Sequence, residues 1–206
     1  MSENFNMESR SVAAGSDVDW EQLYREGETP WEKGAAHPAL IQWLGENSLS
    51  GRVLVPGCGL GYDVRALAAI GAEVLGLDIA PFAIAAARAF PRRGHESYVL
   101  GDFFDPGAVR GKFNGIFEHT CFCAIRPDRR GEYASRVADL IEPGGRLLAI
   151  FFLNPDHDEE GPPYGCQLDE LDSLFSPNFE LVDERDGLPT FLGREGRELL
   201  RLLVRL

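Results

Sequence analysis

The stretch "RVLVPGCGLGYDV", residues 52–64, carries glycine at every second position, Gly57, Gly59 and Gly61, straight after a β-forming run and a proline. Glycine lets a chain turn at positive φ and lets a ligand approach the main chain closely. A helix opening just beyond would add free N–H groups and the positive end of its dipole. Asp78 closes the next apolar run, "EVLGLDI", 21 residues after Gly57. A carboxylate at that distance from such a loop can accept both hydroxyls of a ribose, and Ile79 directly follows it. Asp102, in "LGDFF", ends a third run; it could meet the exocyclic amine of an adenine, with Phe103 beside the ring. Plainer readings stand next to these: a tight turn without ligand for the glycines, and a helix cap or solvated charge for Asp78 and Asp102.

The spacing is G-x-G-x-G, not the G-x-G-x-x-G of dinucleotide binders. A nucleoside site with so short a loop lacks a full phosphate cradle. That favours S-adenosylmethionine over NAD, because the sulfonium compound has no pyrophosphate to hold.

The elements that must position these groups alternate from residue 52 onward. "RVLVPG", "EVLGLDI", "ESYVLGDFF", "FNGIFEHTCF" and "RLLAIFF" read as strands. "DVRALAAIG", "PFAIAAARAF" and "RRGEYASRVADLI", the last ending before "EPGG", read as helices between them, and "QLDELDSLF" as a further helix. β-α-β order of this kind gives an α/β fold with a mostly parallel sheet covered by helices on both faces. "FELVDERD" and "RELLRLLVRL" close the chain; the latter fits helix or strand by pattern, and a terminal hairpin favours strand. Upstream, Ser16 or Asp17 can cap a helix that Gly27 stops. Pro38 opens another, with Leu40, Ile41 and Leu44 expected inward. Residues 1–16 read as a flexible tail and 17–45 as an amino-terminal lid and first helix, all within one domain over 1–206.

The formal net charge is −13, which repels nucleic-acid phosphates and anionic membrane surfaces but not a small anion in a locally cationic pocket. No apolar run is long enough to span a bilayer, and the polar start "MSENFNMESR" lacks a secretory core; a cytoplasmic location is expected. Cys58, Cys121, Cys123 and Cys166 lack zinc-type spacing and read as small buried side chains, so neither metal nor disulfide is expected. A monomer or weak homodimer is the default.

Four segments then carry a resemblance. "WEQLYREGETPWEKG", "VPGCGLGYDV", "FEHTCFCAIRP" and "GPPYG" (residues 161–165) make residues 19–206 similar to the thiopurine S-methyltransferase superfamily, above all to its halide and thiol methyltransferase branch, the plant "harmless to ozone layer" proteins. The resemblance implies a class I S-adenosylmethionine-dependent methyltransferase fold, Rossmann-like, with seven strands. It implies that Trp20, Tyr24, Trp31, Gly57, Gly59, Asp78, Ile79, Asp102, Phe103 and Glu118 contact the donor and that Tyr164 faces the acceptor. Tyr24 stands where the plant branch has tryptophan. Aromatic faces suit a sulfonium, although Trp20 and Trp31 could equally be core.

Methyl transfer to a halide, thiocyanate or hydrosulfide needs desolvation and in-line positioning rather than a general base, in keeping with the lack of a Ser-His-Asp pattern. His119 could deprotonate a thiol or pack as a ring against the donor, and Cys121 and Cys123 could line the acceptor side or fill core. The function expected is methyl transfer to a small nucleophile such as halide, thiocyanate, hydrosulfide or thiol. The alternatives are a thiopurine-like or other small-molecule S- or O-methyltransferase and a non-catalytic binding module.

Overall fold

Asp19 starts helix α1 (Trp20–Glu26) by accepting a hydrogen bond from Gln22 N at 3.0 Å, and Gly27 stops it at φ +75°. The computed structural model describes residues 18–153 and 161–206. The expected tail and the expected caps Ser16 and Asp17 lie outside these; the cap is Asp19. Helix α2 (Pro38–Glu46) buries Leu40 and Trp43, whereas Ile41 is exposed and Leu44 only half-buried. At 100° per residue, a face that takes positions 40 and 43 turns position 41 outward.

The remaining elements are β1 (Arg52–Pro56), α3 (Tyr62–Ala69), β2 (Glu73–Asp78), α4 (Pro81–Ala89), β3 (His95–Leu100), β4 (Phe113–His119), α5 (Arg130–Leu140), β5 (Ile141–Phe152), α6 (Leu168–Phe175), β6 (Phe179–Arg185) and β7 (Glu198–Arg205). They build one seven-stranded sheet in the order β3-β2-β1-β4-β5-β7-β6. All pairs are parallel except those of β7, which runs antiparallel to both β5 and β6. The order reverses between β1 and β4, so the carboxyl ends of these strands open a crevice where ligands of such sheets sit. No helix among the described residues is long and apolar enough to cross a membrane.

Both faces of the central strands are covered. Val53 and Val55 pack with Trp43 of α2 and Leu67 of α3, while Leu54 between them packs with Tyr133 of α5. Alternate residues of one strand thus feed two cores, which is why these strands are apolar throughout. The last segment is a strand for the same reason. Leu200 and Leu202 enter one core and Leu203 the other, while Arg201 is buried and ion-paired at 2.8 Å to both Glu184 and Asp172.

Three strands differ in extent from their sequence reading, one being β4, which ends at His119 where the reading ran on to Phe122. β3 ends at Leu100, and "GDFF" turns away because Asp102 Oδ1 accepts Phe104 N at 2.9 Å. β5 starts at Ile141, and "EPGG" forms an irregularity: Ile141 pairs Phe113, but the next pair is Arg146 with Gly115. Gly144 at φ +76° makes that bulge possible.

Phe151 of β5 is fully buried and meets Phe122 edge-on at 5.3 Å and Phe175 at 5.7 Å. Phe151→Ala is expected to lower the unfolding free energy by about 3–5 kcal/mol, read from urea denaturation. A loss below about 1 kcal/mol would show that this aromatic ladder does not hold the sheet to α6.

Candidate active site

A cavity of about 430 Å³ opens at the carboxyl ends of β1, β2 and β4, where the strand order reverses. Its walls differ in chemistry. One side carries Trp20, Tyr24, Trp31, Asp78, Ile79 and Phe103, with Asp102 and Gly57 beside them; the other carries Cys123, Phe152, Tyr164, Leu192 and Arg194.

The aromatic side is built by α1 and the turn after it. Trp20 and Tyr24 are one helical turn apart, and the stop at Gly27 brings Trp31 back between them. The Trp20 and Trp31 rings meet edge to face at 5.2 Å, and Tyr24 meets Trp31 at 5.7 Å. Trp31 Nε1 donates to Tyr24 Oη at 3.0 Å, and Tyr24 Oη donates to Glu32 Oε1 at 2.9 Å. Burial, with Asp78 and Glu32 nearby, pushes the Tyr24 phenol well up. A tryptophan at position 24 could not make this relay, because an indole N–H only donates.

The glycine loop also serves as a seat for hydrogen-bond acceptors. Two of its amides are engaged by carboxylates: Gly59 N donates to Asp78 Oδ2 at 2.8 Å and Leu60 N to Glu32 Oε1 at 2.9 Å. A Cβ on Gly59 would lie 2.2 Å from Glu32 Oε1 and 2.8 Å from Tyr24 Oη. Gly59 therefore seats the carboxylate of Glu32 and is not on the cavity wall, whereas Gly57 is. Asp78 Oδ1 also accepts Ala80 N at 2.9 Å. Burial raises the Asp78 carboxyl, and amides from Ala80, Gly59 and Ile79 oppose the rise. Asp102 spends one oxygen on Phe104 N.

Glu118 and His119, at the end of β4, do not line the cavity either. Glu118 is fully buried, accepts Phe122 N at 2.7 Å and pairs with the Tyr133 hydroxyl. It fixes the 3-10 turn Phe122–Ala124 that carries Cys123 into the wall. The chain gets there through Thr120, which lines the cavity at φ +64°, an uncommon conformation for a β-branched residue. Cys121 and Cys123 both line the cavity, so neither is plain core; burial raises both thiols, Cys123 to about 12, and keeps them neutral.

Tyr164 lies on the wall because its backbone is tied down at both ends. Tyr164 N donates to Cys123 O at 2.7 Å, and the buried Arg130 donates to the Tyr164 and Gly165 carbonyls at 3.1 and 3.0 Å while holding Glu170 at 2.8 Å. Lys33, Arg126, Arg129, Arg194 and Arg197 also line the cavity. Arg129 lies over Phe104 at 3.7 Å, and Arg194 lies over Phe152 at 4.9 Å and pairs with Glu198 at 2.9 Å. Sequence reasoning missed these cations and Glu32. The basic clusters in "RPDRR" and "GREGR" were the available signal, but in a chain of net charge −13 they look like ordinary surface.

A family model described as thiopurine S-methyltransferase matches residues 16–194. This chain belongs to that family. It is 35% identical over 197 residues to probable thiol methyltransferase 2 of Arabidopsis thaliana, covering 93% of this chain and 86% of the relative. It is 34% identical over 189 residues to thiocyanate methyltransferase 1 of Brassica oleracea, covering 88% and 82%. Among solved structures it resembles the 1,6-didemethyltoxoflavin-N1-methyltransferase of Burkholderia thailandensis, with TM-score 0.67, 22% identity and coverage of 89% and 84%. The fold is that of the class I methyltransferases.

Behind Arg194 on the cavity wall this family member carries a buried polar cluster. His119 Nδ1 lies 2.9 Å from Asp63 Oδ2, and its ring meets those of His37 and Phe191. His37 Nε2 lies 2.9 Å from Glu198 Oε2, and His37 Nδ1 accepts Ala39 N at 3.1 Å. His37, His119 and Glu198 have the donor types of a metal site. The geometry suits a proton-sharing network better. The Ala39 amide puts the proton of neutral His37 on Nε2, aimed at Glu198, and Thr190 and Arg194 occupy that carboxylate. Burial alone would raise Glu198, but the hydrogen bond and charge of His37, with Thr190 and Arg194, pull it down to about 2. Burial lowers His37.

Both shifts carry the same sign. Each group contributes stability above its ordinary value, and that stability is lost as pH falls through the lowered one. Glu198→Gln is expected to cost at most about 3 kcal/mol near neutrality. The gap from wild type should narrow between pH 5 and pH 2, measured by chemical denaturation across pH. A gap that stays constant on acidification would contradict the ionised network.

Proposed function

We propose that this enzyme transfers a methyl group from S-adenosylmethionine to a small sulfur or halide nucleophile, such as thiocyanate, hydrosulfide, halide or an organic thiol. The observation that carries the reading is one cavity lined both by aromatic rings with the buried carboxylate of Asp78 and by five cationic side chains. The thiol and thiocyanate methyltransferase names of the plant relatives support the same acceptor class.

The residues fit the donor. Asp78 stands buried at the end of β2 where a ribose would lie, and Asp102 has one carboxylate oxygen without a hydrogen-bond partner among the described residues. Phe103 and Ile79 offer apolar surface for a base, and Trp20, Tyr24 and Trp31 offer π faces to a cation. Bound there, S-adenosylmethionine would supply an electrophilic methyl group on a sulfonium.

The chain's own residues do the rest. The lid aromatics and Phe103 exclude water, which strengthens the nucleophile. The cationic rim gathers an anion against the overall negative field. Arg194, held by Glu198 and set over Phe152, gives the acceptor side a fixed positive charge. Tyr164 offers an uncharged hydrogen-bond donor, so an anion is oriented without being held too tightly to react. The thiols of Cys121 and Cys123 stay protonated and do not compete as nucleophiles. His119, away from the wall, is not assigned as a base, and no step calls on a metal.

The test is headspace gas chromatography of the volatile methylated product from iodide, thiocyanate and sulfide, with liquid chromatography for an organic thiol. Donor binding without turnover on any of these would leave a binding module. Asp78→Asn is expected to weaken donor binding by about tenfold to a hundredfold, the loss of about 1.5–3 kcal/mol for a charged hydrogen bond; calorimetry showing unchanged affinity in a folded variant would remove Asp78 from the donor site. Tyr164→Phe is expected to change the acceptor KM or the ranking of thiocyanate against iodide while donor affinity stays within about twofold. Collapse of donor binding with a fixed acceptor ranking would put Tyr164 on the donor side.

A further inference from the structure

We infer that Glu32 is a positioning residue that latches the aromatic lid onto the glycine loop, so that donor affinity depends on a carboxylate outside the cavity wall. The inference rests on the reading of this cavity as the donor site.

One oxygen, Glu32 Oε1, accepts two hydrogen bonds: from Tyr24 Oη at 2.9 Å on the lid side and from Leu60 N at 2.9 Å on the loop side. Trp31 Nε1 feeds the same chain through Tyr24 Oη at 3.0 Å. The path Trp31, Tyr24, Glu32, Leu60 therefore runs without a break from two cavity-lining rings to the loop after β1. Three features show that the seat is built. The loop has glycine where any side chain would strike the carboxylate, with the added Cβ 2.2 Å from Glu32 Oε1. The lid has a phenol where an indole could not both donate and accept. Glu32 itself is half-buried, and burial is the largest cause of the rise in its carboxyl, opposed by the Leu60 amide and the Tyr24 hydroxyl. Such a group is held where it is costly only by the partners it joins.

The neighbouring amide makes the loop a shared element. Gly59 N is held by Asp78, which lines the cavity, and Leu60 N by Glu32, which does not. Consecutive amides of one loop thus tie the ribose-side carboxylate and the lid to the same peptide. Moving Glu32 releases the lid edge at Trp31 and loosens the loop that orients Asp78. The other end of the lid keeps its own anchor, Glu21 Oε2 accepting Phe82 N at 2.7 Å, so losing Glu32 unlatches one edge without detaching α1.

The experiment is calorimetric titration of the full chain with S-adenosylmethionine and with S-adenosylhomocysteine, together with kinetics in both substrates. Glu32→Ala is expected to weaken binding of both compounds by about tenfold or more and to raise the donor KM while the acceptor KM stays within about twofold. Glu32→Gln, whose carbonyl can still accept from Leu60 N and Tyr24 Oη, is expected to stay within about threefold of wild type. Tyr24→Phe keeps the ring and removes one arm of the latch. It should weaken donor binding by about threefold to tenfold, and in the Glu32→Ala background it should add little. Tyr24→Phe and Glu32→Gln also test the latch if Glu32→Ala does not fold. Donor affinity within twofold of wild type in a folded Glu32→Ala or Tyr24→Phe variant would overturn the latch, as would equal rises in both KM values. Wild-type protein that binds neither compound would instead overturn the donor-site reading, a result distinct from loss in the variants alone.

Discussion

A buried carboxylate at the end of β2 is the constraint from which the cavity is built. Asp78 sits away from water and is raised by that burial, so its charge has to be met by donors that cannot move away. It takes the amides of Gly59 and Ala80, one from the glycine loop and one from the residue before α4. Those two bonds fix the loop after β1 relative to the helix after β2. The crevice at the strand reversal is bounded by both, so its shape follows from satisfying one charge. Glu32 repeats the device on the adjacent amide and brings the amino-terminal segment into the same frame.

The second wall follows a different logic. A chain of net charge −13 would repel a small anion at long range, yet five cationic side chains line this cavity. Two of these cations are fixed in place by neighbouring groups. Arg129 is held over Phe104 and by Glu132, Arg194 over Phe152 and by Glu198. Each pairing fixes the direction of a guanidinium at the cavity wall. The His37, His119, Asp63 and Glu198 cluster stands behind this wall and ties β4, α3 and β7 together there. Through Glu198 it reaches Arg194, which lines the cavity.

Much of this was legible in the sequence because it depends on local pattern. Alternating apolar runs and glycine-closed helices gave the α/β order, and the spacing from Gly57 to Asp78 picked out two residues that line one cavity. The lid motif placed Trp20, Tyr24 and Trp31 together. Errors came where a local rule met a tertiary one. The glycine loop was read for its turn and its close approach to a ligand, but carboxylates 19 and 28 residues distant in sequence take two of its N–H groups. The family resemblance implied that Glu118 contacts the donor, and the place of His119 at the end of the fourth strand suggested that it stands near the reacting methyl group, but neither lines the cavity. The twist through Thr120 at φ +64° turns the chain, so the residues after it reach the wall and those before it do not.

By itself, then, the sequence determined the fold class, because it is written in short-range periodicity and spacing, and the family through the resemblance that four short motifs carry. Only the tertiary structure decided which side chains meet. The cations lining the cavity come from the segment after α1, the turn before α5 and the loop between β6 and β7. The carboxylate of Glu32 reaches the glycine loop across 28 residues. Contacts of that kind depend on how the sheet and its loops close in space, and no one-dimensional pattern fixes a distance between residues whose separation along the chain is set by the elements folded between them.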